Sequence, residues 1–123
     1  MKIGIPKEIK TKEYRVAIIP SGVKLLVQSG HNVYIEKDAG VKSGFSNEDY
    51  LQEGAIILES PNQIFDTCEM ILKVKEPQAQ EYDLLKEGQI LFTYLHLAPA
   101  KELTQILKEK KVTAIAYETV QKG

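Results

Sequence analysis

A chain of 123 residues is one domain's worth, long enough to bury roughly 65% of the surface its unfolded form exposes. Its 43% hydrophobic and 27% charged residues, with a formal net charge of −1 and the two signs interspersed, are those of an ordinary globular protein and leave no basic block for nucleic acid or an anionic membrane. No apolar run approaches the roughly 18 residues of a membrane span. The opening "MKIGIPKEIK" is too poor in apolar residues for a signal peptide, and the one cysteine, Cys68, excludes an internal disulfide or a cysteine-based metal site. These features lead to the expectation of a soluble, cytoplasmic protein.

Apolar runs and amphipathic stretches alternate along the chain. "KIGI" (2–5) reads as a short strand, followed by a polar loop through Arg15. Pro20 or Ser21 opens a helix with Val23, Leu26 and Val27 on one face, and Gly30 closes it. "NVYIE" (32–36) reads as a second strand. A glycine-rich turn then leads into a helix capped by Ser46, with acids in its first turn, that ends at Gly54. "AIIL" (55–58) is a third strand, and Ser60–Pro61 starts another short helix by the cap-then-proline pattern. "MILKV" (70–74) and "QILFTYL" (89–95) are further strands, separated by a brief helix around 79–86. Leu103, Ile106 and Leu107 have helical spacing within 100–111, and "VTAIAYE" (112–118) is the sixth strand.

Alternation of this kind predicts an α/β fold: a three-layer, doubly wound, mostly parallel sheet of the flavodoxin or Rossmann type, built as a single domain over 1–123. The strands at 70–74 and 89–95 are nearly continuous apolar runs, as strands covered by helices on both faces must be.

Open parallel sheets bind ligands outside the carboxyl ends of their strands. Lys7, Glu8 and Arg15 follow the first strand, Lys75 and Glu76 the fourth, and His96 the fifth. Parallel strands bring Arg15, Lys75 and His96 to one edge. An arginine grips a carboxylate with a planar fork, a lysine adds a compact charge for a carboxylate or carbonyl oxygen, and a histidine exchanges protons near neutrality. Together they suit a small anionic carbonyl compound such as a 2-oxo acid. Each also has a plainer reading. A histidine at a strand end is often structural, a loop arginine is often merely solvated, and one of Lys73 and Lys75 can run out along the sheet surface. His31, in a turn, reads as a surface residue, and Cys68 as filler. No G-x-G-x-x-G or P-loop is present, "GVKSGF" (40–45) reads as a turn, and two histidines 65 positions apart form no metal pattern.

Six blocks, "MKIGIPKEIK", "EYRVA" (13–17), "SGF" (43–45), "ILKVKEP" (71–77), "ILFTYLHLA" (90–98) and "VTAIAYETV" (112–120), together resemble the N-terminal, substrate-binding part of the alanine dehydrogenase/nicotinamide nucleotide transhydrogenase family. The K-V-K-E-P lysine and the Y-L-H histidine favour the dehydrogenase side. The resemblance implies that Arg15 and Lys75 hold the carboxylate and carbonyl region of L-alanine or pyruvate and that His96 is the acid/base, with Tyr94 and Glu8 as further candidates. Ile19 stands where the family usually has threonine, and Pro99 follows the histidine block; both departures are expected to leave the chemistry untouched. The complete enzyme would use NAD, bound by a second domain for which this chain carries no site, and would form a homo-oligomer. The chain alone, as a truncated product or a free-standing domain, is expected to be inactive. A non-catalytic module that binds a 2-oxo acid or serves assembly, and a transhydrogenase-like domain, remain open alternatives.

Overall fold

A computed structural model describes residues 1–10, 12–93 and 101–116. The six apolar runs form strands: β1 (Lys2–Ile5), β2 (Asn32–Glu36), β3 (Ile56–Leu58), β4 (Met70–Lys73), β5 (Ile90–Thr93) and β6 (Thr113–Ala116). The helices between them are α1 (Pro20–Gln28), α2 (Asn47–Gln52), α3 (Pro61–Thr67) and α4 (Lys101–Glu109). Local chemistry fixes their starts. Pro20 occupies the first position of α1, where its missing N–H costs nothing. Ser46 and Asp49 cap α2 reciprocally, each side chain accepting the other's backbone N–H. Ser60 caps α3 ahead of Pro61. Two expected features are tighter than a regular helix. Val41–Ser43 and Ala79–Leu84 are 3₁₀ turns.

Every recorded strand pair is parallel, and the order is β3-β2-β1-β4-β5-β6. The chain winds outward from β1 to β3, crosses back over the sheet, and continues from β4 to β6. Reversing direction while keeping right-handed crossovers puts the connections on opposite faces. Residues of α1 and α2, such as Val23 and Tyr50, therefore pack with Ile3, Ile5, Val33, Ile35 and Leu72 on one face. Ile64 and Phe65 of α3 pack with Ile71, Leu91 and Cys68 on the other, joined by Ile106 and Leu107 of α4. Alternation along each strand divides these two cores. Gly4 lies where β1 meets α3: a Cβ there would stand 2.7 Å from Cys68 Sγ and 2.8 Å from Ile64 Cγ2, so only glycine admits this approach.

The crevice of an open doubly wound sheet lies where the strand order reverses, here between β1 and β4. Their ladder pairs Ile3 with Met70 and Gly4 with Ile71 and goes no further. Pro6 follows β1 and has no N–H to extend it.

Candidate substrate site

Beyond the last β1–β4 pair, a side chain takes over the work of the backbone. Glu8 accepts the backbone N–H of Val74 at 3.0 Å and of Lys75 at 3.2 Å, so one carboxylate ties the loop after β1 to the end of β4. The same carboxylate pairs with Lys73 Nζ at 3.2 Å, and Glu81 of the second 3₁₀ turn approaches that ammonium at 3.3 Å. The Lys73 side chain is 1% exposed and its two partners 3% each. Lys73 thus does not run out along the sheet surface; it is the centre of a buried charge cluster. Burial pushes the Glu8 carboxyl above its ordinary value, against the opposing pull of Lys73 and the two backbone N–H groups. Glu36, at the end of β2, is also raised by burial, offset in part by the Lys7 N–H it accepts at 2.9 Å.

A second carboxylate gathers the two cations expected to hold substrate. Glu13 forks Arg15, with Nε–H donating to Oε2 and Nη2–H to Oε1, each at 3.0 Å, and also accepts the Arg15 backbone N–H at 2.8 Å. Lys75 Nζ stands 4.0 Å from the same Oε1. The Glu13 side chain is buried, Arg15 is 61% exposed and Lys75 29%. Burial pushes Glu13 up, but the hydrogen bonds and charge of Arg15, helped by Lys75, outweigh it and hold the carboxyl below its usual range. The segment carrying these residues is anchored from outside. Ser43 Oγ–H donates to Tyr14 O at 2.6 Å, Lys42 lies 5.6 Å from the Tyr14 ring centroid, and Tyr50 O–H donates to Ile18 O at 2.7 Å. The "SGF" turn therefore has a mechanical role, since it holds the Arg15 loop. Beside Arg15 opens a depression of about 320 Å³ walled by Val16, Ile19, Ser43, Phe45 and Val74. Ile19, the departure expected to leave the chemistry untouched, forms part of its wall.

Arg15 and Lys75, 60 positions apart in sequence, thus meet at one sheet edge. His96 and Tyr94 lie outside the described residues. Glu8 is at the crevice, but its contacts are structural: it binds Lys73 and backbone rather than facing open space. Glu76, which follows Lys75, is paired with Lys10. Sequence reasoning missed Glu13, Glu81 and the burial of Lys73. A signal existed: a lysine in the run "MILKV", flanked on both sides by core residues, needs buried counter-charges. His31, read as a surface residue, is half-buried between α1 and β2. Cys68 is buried and its thiol is pushed up to about 11 by burial, in keeping with filler rather than a nucleophile.

The segment after β1 lacks the phosphate-binding turn of a dinucleotide fold. In that class of fold a glycine-rich turn after β1 carries the pyrophosphate to a helix N-terminus. Here residues 6–19 separate β1 from α1, and the carboxylates of Glu8 and Glu13 stand in that segment. Among the described residues no cluster of His, Cys, Asp or Glu could hold a metal ion, and no helix is long and apolar enough to cross a membrane.

Residues 4–123 match the family model described as alanine dehydrogenase/PNT, N-terminal domain. The chain is 60% identical over 121 residues to an alanine dehydrogenase of Methanococcus maripaludis and 55% identical over 123 residues to that of Bacillus subtilis. It is matched over 98% and 100% of its length respectively, but spans only 32% of either relative. Among solved structures, an L-alanine dehydrogenase superposes with a TM-score of 0.88 at 49% identity, over 96% of this chain and 32% of that one. A transhydrogenase from Sinorhizobium meliloti gives 0.86 at 28% identity, over 94% of this chain and 34% of that one. The backbone is thus shared by both branches, while the sequence stands nearer the dehydrogenases. The chain belongs to the alanine dehydrogenase/PNT N-terminal domain family.

Proposed function

We propose that this chain is the substrate-binding part of an L-alanine dehydrogenase, an enzyme that reversibly converts L-alanine, NAD and water to pyruvate, ammonium and NADH. The observation that carries this reading is the meeting of Arg15 and Lys75 on a single carboxylate oxygen of Glu13 at the β1–β4 crevice. Two cations that converge on one carboxylate from separate strand ends have the geometry to take a ligand's carboxylate as well. The 320 Å³ depression next to Arg15, with its largely apolar walls, suits a compact ligand with a methyl group.

In this reading Arg15 grips the substrate carboxylate through the guanidinium edge not used by Glu13, and Lys75 lies toward the carbonyl or amino-bearing carbon. His96 is assigned the proton transfers between imine and carbinolamine, by its place in the T-Y-L-H-L block. NAD supplies the hydride chemistry from a separate nucleotide-binding domain, because the crevice here carries carboxylates where a pyrophosphate would lie. Homo-oligomer formation belongs to the same proposal. The test is turnover by the chain joined to such a domain. Lys75→Gln and His96→Gln are each expected to lower kcat by at least about a hundredfold, the scale of a lost acid/base or orienting group. Activity within a few-fold of wild type in either variant would remove that residue from the role given to it.

A further inference from the structure

We propose that Glu13 makes this site selective for monocarboxylates over dicarboxylates, by neutralising one of the two cations that meet at the β1–β4 crevice. The inference rests on the reading that Arg15 and Lys75 receive a substrate carboxylate. Their charges sum to two, and a site with two free cations and a 2-oxo acid would welcome a second carboxylate. Glu13 removes that option. It occupies the Nε–Nη2 edge of Arg15 with two hydrogen bonds of 3.0 Å and stands 4.0 Å from Lys75 Nζ. The three groups carry one net positive charge, which one ligand carboxylate balances. A second carboxylate would find no free counter-charge and would lie near the Glu13 anion, the repulsive element that specificity against a close analogue requires.

The neighbouring lysines have carboxylates of their own. Lys73 is enclosed between Glu8 and Glu81, Lys10 is paired with Glu76, and Lys7 and Lys42, which line a small pocket with Glu13 and Arg15, share it with Glu8 and Asp38. Glu13 is also held rigidly. Its side chain is 3% exposed, and its third bond, from the Arg15 backbone N–H, keeps it from swinging aside for a larger anion. A role confined to stiffening the Arg15 loop would be served by any hydrogen-bond acceptor, whereas charge selection requires the carboxylate itself.

The test is calorimetric titration of the 123-residue chain with pyruvate and with freshly dissolved oxaloacetate, which keeps the 2-oxo acid and adds one carboxylate. Wild type should prefer pyruvate. Glu13→Gln, which keeps the acceptor oxygen, should swing the ratio of the two Kd values about tenfold or more toward oxaloacetate, the scale of one nearby charge in a partly screened cleft. Glu13→Asp should keep the wild-type preference. An unchanged ratio in Glu13→Gln, with pyruvate binding still abolished by Arg15→Gln, would overturn the role of Glu13 and leave the site reading intact. Binding of neither anion, or pyruvate binding indifferent to Arg15→Gln, would remove the site reading and this inference together.

Discussion

Replacing Lys73 by methionine keeps length and most of the volume and deletes one charge. In the folded protein that charge is 1% exposed and lies 3.2 Å from Glu8 and 3.3 Å from Glu81, so bulk water screens little of its interaction. Losing one member of such a buried set strands the others, at a cost of about 3–5 kcal/mol. That is a large part of the roughly 5–15 kcal/mol that holds a domain of this kind together. The cost should depend on pH, in a definite direction. Burial already raises the Glu8 carboxyl, and Lys73 is the leading influence holding it down. Without the ammonium the folded-state value rises further above the ordinary 4.5. An acid raised on folding favours the folded state in its protonated form, so the deficit is full at high pH and shrinks as pH falls through the raised value. Urea unfolding followed by circular dichroism, at about pH 8 and about pH 5, measures this directly. The double variant Lys73→Met/Glu8→Gln should recover part of the loss at the higher pH, because it removes a stranded anion. A loss under about 1 kcal/mol, or one equal at both pH values, would refute the idea that Lys73 is a buried counter-ion.

Gly4→Ala should destabilise the fold by about 1–3 kcal/mol, since its Cβ would collide with Cys68 and Ile64 across the β1–α3 contact; a thermal melt indistinguishable from wild type would count against that packing. Glu13 is held below the ordinary 4.5, so its contribution to stability is fully present above that value and is lost as pH falls through the lower folded one. Glu13→Gln should therefore cost stability at neutral pH and much less at about pH 3, with an equal cost at both showing that its charge is irrelevant. The purified 123-residue chain, given L-alanine and NAD, should produce no NADH; sustained alanine-dependent absorbance at the NADH band would show that the crevice accepts a dinucleotide after all.

The layering of this fold was legible because local and long-range signals agree. The Ser46–Asp49 and Ser60–Pro61 caps announce helices, and the runs at 32–36 and 70–73 announce strands that the sheet then buries. Alternation implied parallel pairing, and the strand-end rule placed Arg15, Lys75 and His96 at one edge; of these, Arg15 and Lys75 both approach Glu13. The reversal of strand order between β3 and β4 has no local signature, because it depends on which faces the helices cover. The partners of the charged groups were hidden for a similar reason. Glu13 and Arg15 are two residues apart, but Lys75 joins them only through the β1–β4 neighbourhood, and Glu81 reaches Lys73 only because a 3₁₀ turn folds back over the end of β4. Pairings set by sheet order are not written in any one segment.

The central claim is that the β1–β4 crevice holds a small 2-oxo acid by its carboxylate. The most direct measurement is a crystal structure of this chain grown with pyruvate. The account predicts the pyruvate carboxylate within hydrogen-bond distance of the Arg15 guanidinium and the Lys75 ammonium, with its methyl group toward Val16, Phe45 and Val74. Pyruvate bound at another edge of the sheet, or no pyruvate against Arg15 and Lys75 at saturating concentration, would contradict it.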